Sequence, residues 1–209
     1  MANIIDETRV ARPYGLDGIS EEQIAQHWAL YEGYLKNASA LSEKLSQFSK
    51  AEKFGVEFSE LKRRWGFETN GVALHEYYFE ALKGGGAPPS EAAQMTKFLK
   101  KAFGGFEAWR KEFIAVGKMR GTGWAILYLD PRSLALTNAW IASHEVGHPA
   151  GCVPLLVMDV WEHAYMVDWG ASGRSEYIEA FLKNVDWAKV ERRLLAGLGS
   201  YATENTRRR

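Results

Sequence analysis

The run Gly84-Gly85-Gly86-Ala87-Pro88-Pro89 constrains this chain more than any other stretch. Glycine gains too little from a helix to offset its lost freedom, and proline lacks the N–H a helix requires, so no helix crosses this point. The 209 residues divide there into an N-terminal domain, 1–86, and a C-terminal domain, 87–209. Before the run, Ser20 to about Ser49 reads as a long helix. Ser20 suits an N-cap, and Gln23 completes a capping-box pattern. Ile24, Trp28, Tyr31, Leu35 and Ala38 recur at helical spacing on one face. A second helix runs from about Ser59 to Leu82 and stops at the run, so the two form an antiparallel hairpin.

Beyond the run the pattern changes. Ser90 to Phe103 and Gly105 to Gly117 read as two shorter helices. Gly123 to Leu129 and Ser133 to Trp140, rich in aromatic and branched residues, flank the turn Asp130-Pro131-Arg132, and Pro154 to Val160 is a third strand-like run. Helix returns from about Ser175 to Leu198. The expected fold is α+β: an N-terminal antiparallel helical hairpin, then a C-terminal α/β domain with a small three-stranded antiparallel sheet.

Composition excludes several function classes. Lys plus Arg equals Asp plus Glu at 26 each, so overall charge points neither to nucleic acid nor to an acidic membrane surface. The Arg207-Arg208-Arg209 tail reads as a frayed end. Cys152 is the only cysteine, which rules out an intrachain disulfide and a thiolate metal cluster. Met1 to Val10 lacks the basic start and apolar core of a signal peptide, and no apolar run approaches the ~20 residues of a membrane span. A cytoplasmic setting is expected.

The chemistry rests on five histidines: His27, His75, His144, His148 and His163. His27 and His75 fall on the inner faces of the two hairpin helices, where one metal ion can bridge them. Asp159 emerges at the end of the third strand, and His163 follows four residues later, one helical turn away if the chain coils there. Burying these groups unpaired is costly. Three imidazoles and one carboxylate suit a first-row transition metal better than Mg or Ca. Ligand types alone also fit a mononuclear zinc hydrolase. A ferritin-like di-iron site is disfavoured, because it requires several glutamates and a Glu-x-x-His pattern.

At this point the residues resemble a family. Asp159-Val160-Trp161-Glu162-His163-Ala164-Tyr165 matches D-x-W-E-H-A-[FY], the signature of the iron/manganese superoxide dismutases. Gly84 to Pro88 resembles the family's GGGEP boundary, Gly121-Thr122-Gly123-Trp124 its strand entry, and Asn184-Val185-Asp186-Trp187 its closing helix. The likeness runs from about Pro13 to Leu195, in the family's order. It implies one Fe or Mn ion held by His27, His75, Asp159 and His163 with a solvent molecule as fifth ligand. It implies disproportionation of superoxide to oxygen and hydrogen peroxide. His144, fifteen residues before Asp159, stands where some members place the donor to the bound solvent, and Gly71 stands where iron-type members commonly have Gln. Trp124 and Trp161 would line the site. Glu162 would reach across a homodimer interface to the partner's metal-ligating histidine.

The sequence also departs from the family. Where it normally reads H-x-x-x-H-x-x-x-Y from the first ligand, this chain has Tyr31 and Leu35. Tyr34 comes one residue early, about 100° around the helix from the family's direction. Met166 replaces the interface tyrosine three residues after His163, and Phe79 replaces the usual Trp. Tyr31 stands one turn from His27 and is a candidate source of the channel hydroxyl. His148 reads equally well as a loop histidine packing near Pro149. An intact metal set behind a rebuilt gateway fits a divergent dismutase, and it also fits a metal-binding or interaction protein on the same scaffold with low or no turnover.

Overall fold

A computed structural model describes residues 8–206. The first seven residues of the Met1–Val10 start and the Arg207–Arg209 tail lie outside the described residues. Helix α1 spans Glu21–Lys50 and α2 spans Val56–Glu80, packed side by side as the hairpin. Ser20 caps α1 by accepting the Gln23 N–H at 3.0 Å. The capping box is only half formed, however. The Ser20 N–H donates to Asp168 Oδ2 at 2.8 Å, which leaves the Gln23 side chain free for another partner.

Helices α3 (Gln94–Phe103) and α4 (Phe106–Gly117) follow the glycine–proline run. Helix α3 starts four residues later than the sequence suggests. Its first N–H groups are capped from a distance, with Gln94 and Met95 donating to the Glu191 carboxylate at 2.8 and 2.7 Å.

Strands β1 (Trp124–Asp130), β2 (Ala135–Ile141) and β3 (Val153–Asp159) form one antiparallel sheet in the order β2-β1-β3. The central strand is buried from Trp124 to Leu129. Its first residue pairs with Ile141 on one side and Asp159 on the other. Gly123, just before it, has φ of 139°, and a Cβ there would fall 2.1 Å from the Ile141 carbonyl oxygen, so only glycine lets the strands close at this end. This is the end of the sheet where Asp159 sits, beside α2, which packs on β3.

After β3 come a single 3-10 turn at Glu162–Ala164 and the short α5 (Met166–Trp169). The expected single helix from Ser175 to Leu198 is two helices, α6 (Arg174–Lys183) and α7 (Trp187–Thr206). The chain between them pairs with the end of α2 instead of coiling: Lys83 N–H donates to the Asn184 carbonyl and Asp186 N–H to the Ala81 carbonyl, both at 2.7 Å. The Asp186 carboxylate then caps α7 through the Ala188 and Lys189 N–H groups. One aromatic-rich core, including Trp109, Trp124, Tyr128, Phe113, Tyr177 and Phe181, joins the helices to the sheet. Each such ring contributes on the order of 2–3 kcal/mol by burial. No helix among the described residues is long and apolar enough to cross a membrane.

Candidate metal centre

His27 (α1), His75 (α2), Asp159 (end of β3) and His163 (3-10 turn) converge between hairpin and sheet. Each offers one ligand atom, and these four atoms lie within 4.8 Å of one another. His27 Nε2 and His163 Nε2 are each 3.0 Å from Asp159 Oδ2, and His75 Nε2 is 3.7 Å from it. His27, His75 and Asp159 are fully buried.

The site's framework is held by polar partners on other elements. Asp159 Oδ1 accepts the Trp161 N–H at 2.8 Å, which turns Oδ2 toward the imidazoles. Tyr177 Oη donates to the Asp159 carbonyl at 2.7 Å. The freed Gln23 amide donates to the His163 carbonyl at 2.6 Å and accepts the Val167 N–H at 3.0 Å, fixing the turn against α1.

The donor set fits a transition metal. His75 Nδ1–H donates to the Gly71 carbonyl at 2.6 Å, so in the neutral ring Nε2 carries a lone pair. That buried Nε2 has no hydrogen-bond partner among the described residues, and it faces a carboxylate oxygen that is also an acceptor. Burial pushes the pKa of His27 and His75 down, so neither supplies the missing positive charge. Burial would push Asp159 up, but the facing His163 and His27 outweigh it and hold the carboxyl well below its usual range. His163 is raised despite its burial, because Asp159 favours its charged form. A cation among the four ligand atoms satisfies them together.

A second set of side chains stands beside this cluster. Tyr34 Oη lies 2.8 Å from His144 Nε2, and the Trp124 indole N–H donates to His144 Nδ1 at 3.0 Å. The Tyr34 ring lies tilted against His75 with centroids 5.0 Å apart, and Trp124 meets His75 edge-to-face at 5.1 Å. Trp161 lies between His144 and His163. Tyr34, a candidate catalytic residue in spite of its early spacing, brings its hydroxyl beside the cluster from an unbroken α1. Seven residues are nearly two full turns, so Tyr34 returns to the face of His27. Its ring fits because residue 71 is glycine: a Cβ there would lie 2.7 Å from Tyr34 Cδ1.

Tyr31 is placed differently from its candidate role. Its hydroxyl donates to Glu76 at 3.1 Å, and its ring packs on Trp28 and Phe79. Phe79 contacts the His27 ring at 5.1 Å. Met166 and Glu162 are exposed. Sequence reasoning missed Gln23, Tyr177 and Asn70, whose Nδ2 donates to the His144 carbonyl, as site supports. Gln23 carried a local signal, but for a different partner.

Burial lowers the His144 pKa to about 4 and raises that of Tyr34 to about 12, the latter assisted by the charge of Asp159. At neutral pH His144 is therefore an uncharged imidazole and Tyr34 an intact phenol.

Comparison with known proteins agrees with this geometry. The family described as "Iron/manganese superoxide dismutases, C-terminal domain" matches residues 91–193. Superoxide dismutase [Fe] of Aquifex pyrophilus is 40% identical over 197 residues, covering 91% of each chain. Superoxide dismutase [Mn/Fe] of Aeropyrum pernix is 33% identical over 90% of this chain and 86% of its own. Superoxide dismutase [Mn] of Haloarcula marismortui is 33% identical over 85% and 88%. With the four convergent ligand atoms and this similarity along most of its length, the chain belongs to the iron/manganese superoxide dismutase family.

Proposed function

We propose that this chain disproportionates superoxide at one Fe or Mn ion held by His27, His75, Asp159 and His163. The observation that carries the reading is the buried His75 Nε2 lone pair aimed at Asp159 Oδ2, with two further imidazole nitrogens on the same oxygen. A bound ion would supply the one-electron redox chemistry by which one superoxide becomes oxygen and a second, with two protons, becomes hydrogen peroxide.

The residues of the chain bring the protons and keep bulk water out. Trp indole N–H can only donate, so His144 Nδ1 accepts and the neutral ring carries its proton on Nε2. His144 Nε2–H then donates to Tyr34 Oη, which leaves the phenol's own proton available for transfer beside His75. Trp124 and Trp161 wall the site with apolar surface and strengthen its electrostatics. Tyr31, tied to Glu76, braces the ring cluster around His27 and His75 and gives up no proton. Tyr34 favours a working dismutase over a silent scaffold, because it returns a hydroxyl to the site despite Leu35.

The chain acts as a cytoplasmic homodimer in this reading. A lone cysteine suits a reducing compartment. In the homodimer Glu162, exposed beside half-exposed Met166 and Val167, hydrogen-bonds the partner's metal-ligating histidine, and its exposure is compatible with that role. The hairpin, 1–86, and the remainder, 87–209, each contribute two ligands as separate domains.

The test is to load the purified chain separately with iron and manganese, measure bound metal by elemental analysis, and assay superoxide consumption. About one ion per chain with rapid consumption is the expected result. Full loading with negligible consumption by both forms would sink the reading. His163→Ala is expected to lower metal content, and unchanged content would show the ligand set to be wrong.

A further inference from the structure

The loop 142–152, between β2 and β3, carries His144 yet forms neither helix nor strand. Gly147 and Gly151 both sit at positive φ, 99° and 79°. A site residue on such a loop keeps its aim only if the backbone beneath it is tied to something rigid. The His144 carbonyl is tied twice. Asn70 Nδ2, on α2, donates to it at 2.9 Å, and His148 Nε2 donates to it at 2.7 Å.

His148 is itself seated on the sheet. Its Nδ1 lies 2.6 Å from Oη of Tyr128, a residue of β1 that is 1% exposed. The polarity of this chain of bonds follows from its last acceptor. A carbonyl oxygen cannot donate, so the neutral His148 ring carries its proton on Nε2, its Nδ1 accepts, and the Tyr128 hydroxyl donates. The central strand thus reaches the His144 backbone through two short hydrogen bonds, both aligned toward it. Packing near Pro149 would require neither bond.

We propose that His148, braced by Tyr128, is a positioning residue for the superoxide reaction: it holds the His144 backbone so that the ring spans Trp124 and Tyr34. The inference rests on the role given above to His144. His148 touches neither the ligand atoms nor the Tyr34 hydroxyl, so its effect is expected on turnover and not on metal content.

The test uses metal-loaded protein with turnover normalised to bound metal, together with crystal structures of the loaded variants. His148→Gln keeps an N–H for the carbonyl and an oxygen for the Tyr128 hydroxyl, whereas His148→Leu keeps volume alone. His148→Leu is expected to lose about ten-fold in turnover, with the His144 ring displaced from Tyr34, while His148→Gln stays within about two-fold of the parent and Tyr128→Phe falls between them. Parental turnover in His148→Leu, or a loss in His148→Gln as large as in His148→Leu, overturns the proposal. Should His148→Leu not fold, parental turnover in Tyr128→Phe overturns it instead. His144→Leu separates the two claims. If that variant keeps parental turnover, the reading of His144 fails and this one with it. If it loses turnover while His148→Leu does not, only the brace is wrong.

Discussion

The Tyr34 hydroxyl lies 2.8 Å from Nε2 of His144, joining the first helix of the hairpin to the loop between β2 and β3 beside His75. This contact exists because Gly71, one turn before His75, leaves room for the phenol ring. Gly71→Ala is therefore expected to act at a distance from the metal. The new Cβ, 2.7 Å from Tyr34 Cδ1, must push the ring aside. Overpacking of this kind costs about 1–3 kcal/mol. Thermal melting is expected to show that loss, and superoxide turnover per bound metal is expected to fall as the Tyr34–His144 bond opens. Alanine tolerated on both measures would mean that the ring has space elsewhere.

Tyr34→Phe removes the hydroxyl and keeps the ring. Proton delivery by a placed side chain is typically worth a factor of 10² or more, so turnover should drop by roughly ten-fold or more, with water replacing part of the function. Metal content should not change, because Tyr34 is no ligand. Burial raises its pKa to about 12, so the phenol stays protonated across the physiological range. Any loss of activity in the parent between pH 8 and about 10 then belongs to another group, and the Phe variant should show the same alkaline limb. A limb that vanishes in Tyr34→Phe would contradict this assignment.

The four residues whose candidate ligand atoms converge were legible because their chemistry is local. Asp159 and His163 sit in one contiguous motif, and buried imidazoles on two amphipathic helices draw attention whatever the fold. Tyr34 was legible as a residue but not as a direction. The family's eight-residue spacing makes it look misaligned, yet seven residues at 100° each come within about 20° of two full turns. The long-range ties left no readable signal. Gln23 reaches a carbonyl 140 residues away, and Asn184 hydrogen-bonds Asp17 across 167. Their amides look like ordinary helix-start and helix-end residues until the chain closes. The break between α6 and α7 was hidden for the same reason, because it depends on pairing with Leu82.

Buried neutral histidines make the metal-free protein sensitive to acid. Burial depresses the His144 pKa from 6.5 to about 4. As pH falls, the unfolded chain takes up this proton first, so stability declines from about pH 6.5 down to about pH 4. The shift corresponds to about 3 kcal/mol at most. His27 and His75, also lowered by burial, act in the same direction. Urea unfolding of metal-free protein at a series of pH values is expected to show this decline, and His144→Gln should flatten part of it. Equal slopes for parent and variant would remove His144 from the account.

Glu162 gives the last expectation. It is exposed in a segment whose neighbours Met166 and Val167 are 45% and 41% exposed, an uneconomical surface for a monomer. If its carboxylate hydrogen-bonds His163 of the partner subunit, the contact is charge-assisted and worth about 1.5–3 kcal/mol. Because a two-fold dimer holds this contact twice, Glu162→Ala should then raise the dimer dissociation constant by roughly a hundred- to ten-thousand-fold in analytical ultracentrifugation. The same substitution should loosen metal retention, because His163 loses the partner that orients its ring. A parent chain that sediments as a monomer at micromolar concentration would break this link between assembly and metal binding. A variant that weakens the dimer yet holds metal as tightly as the parent would confine Glu162 to the interface.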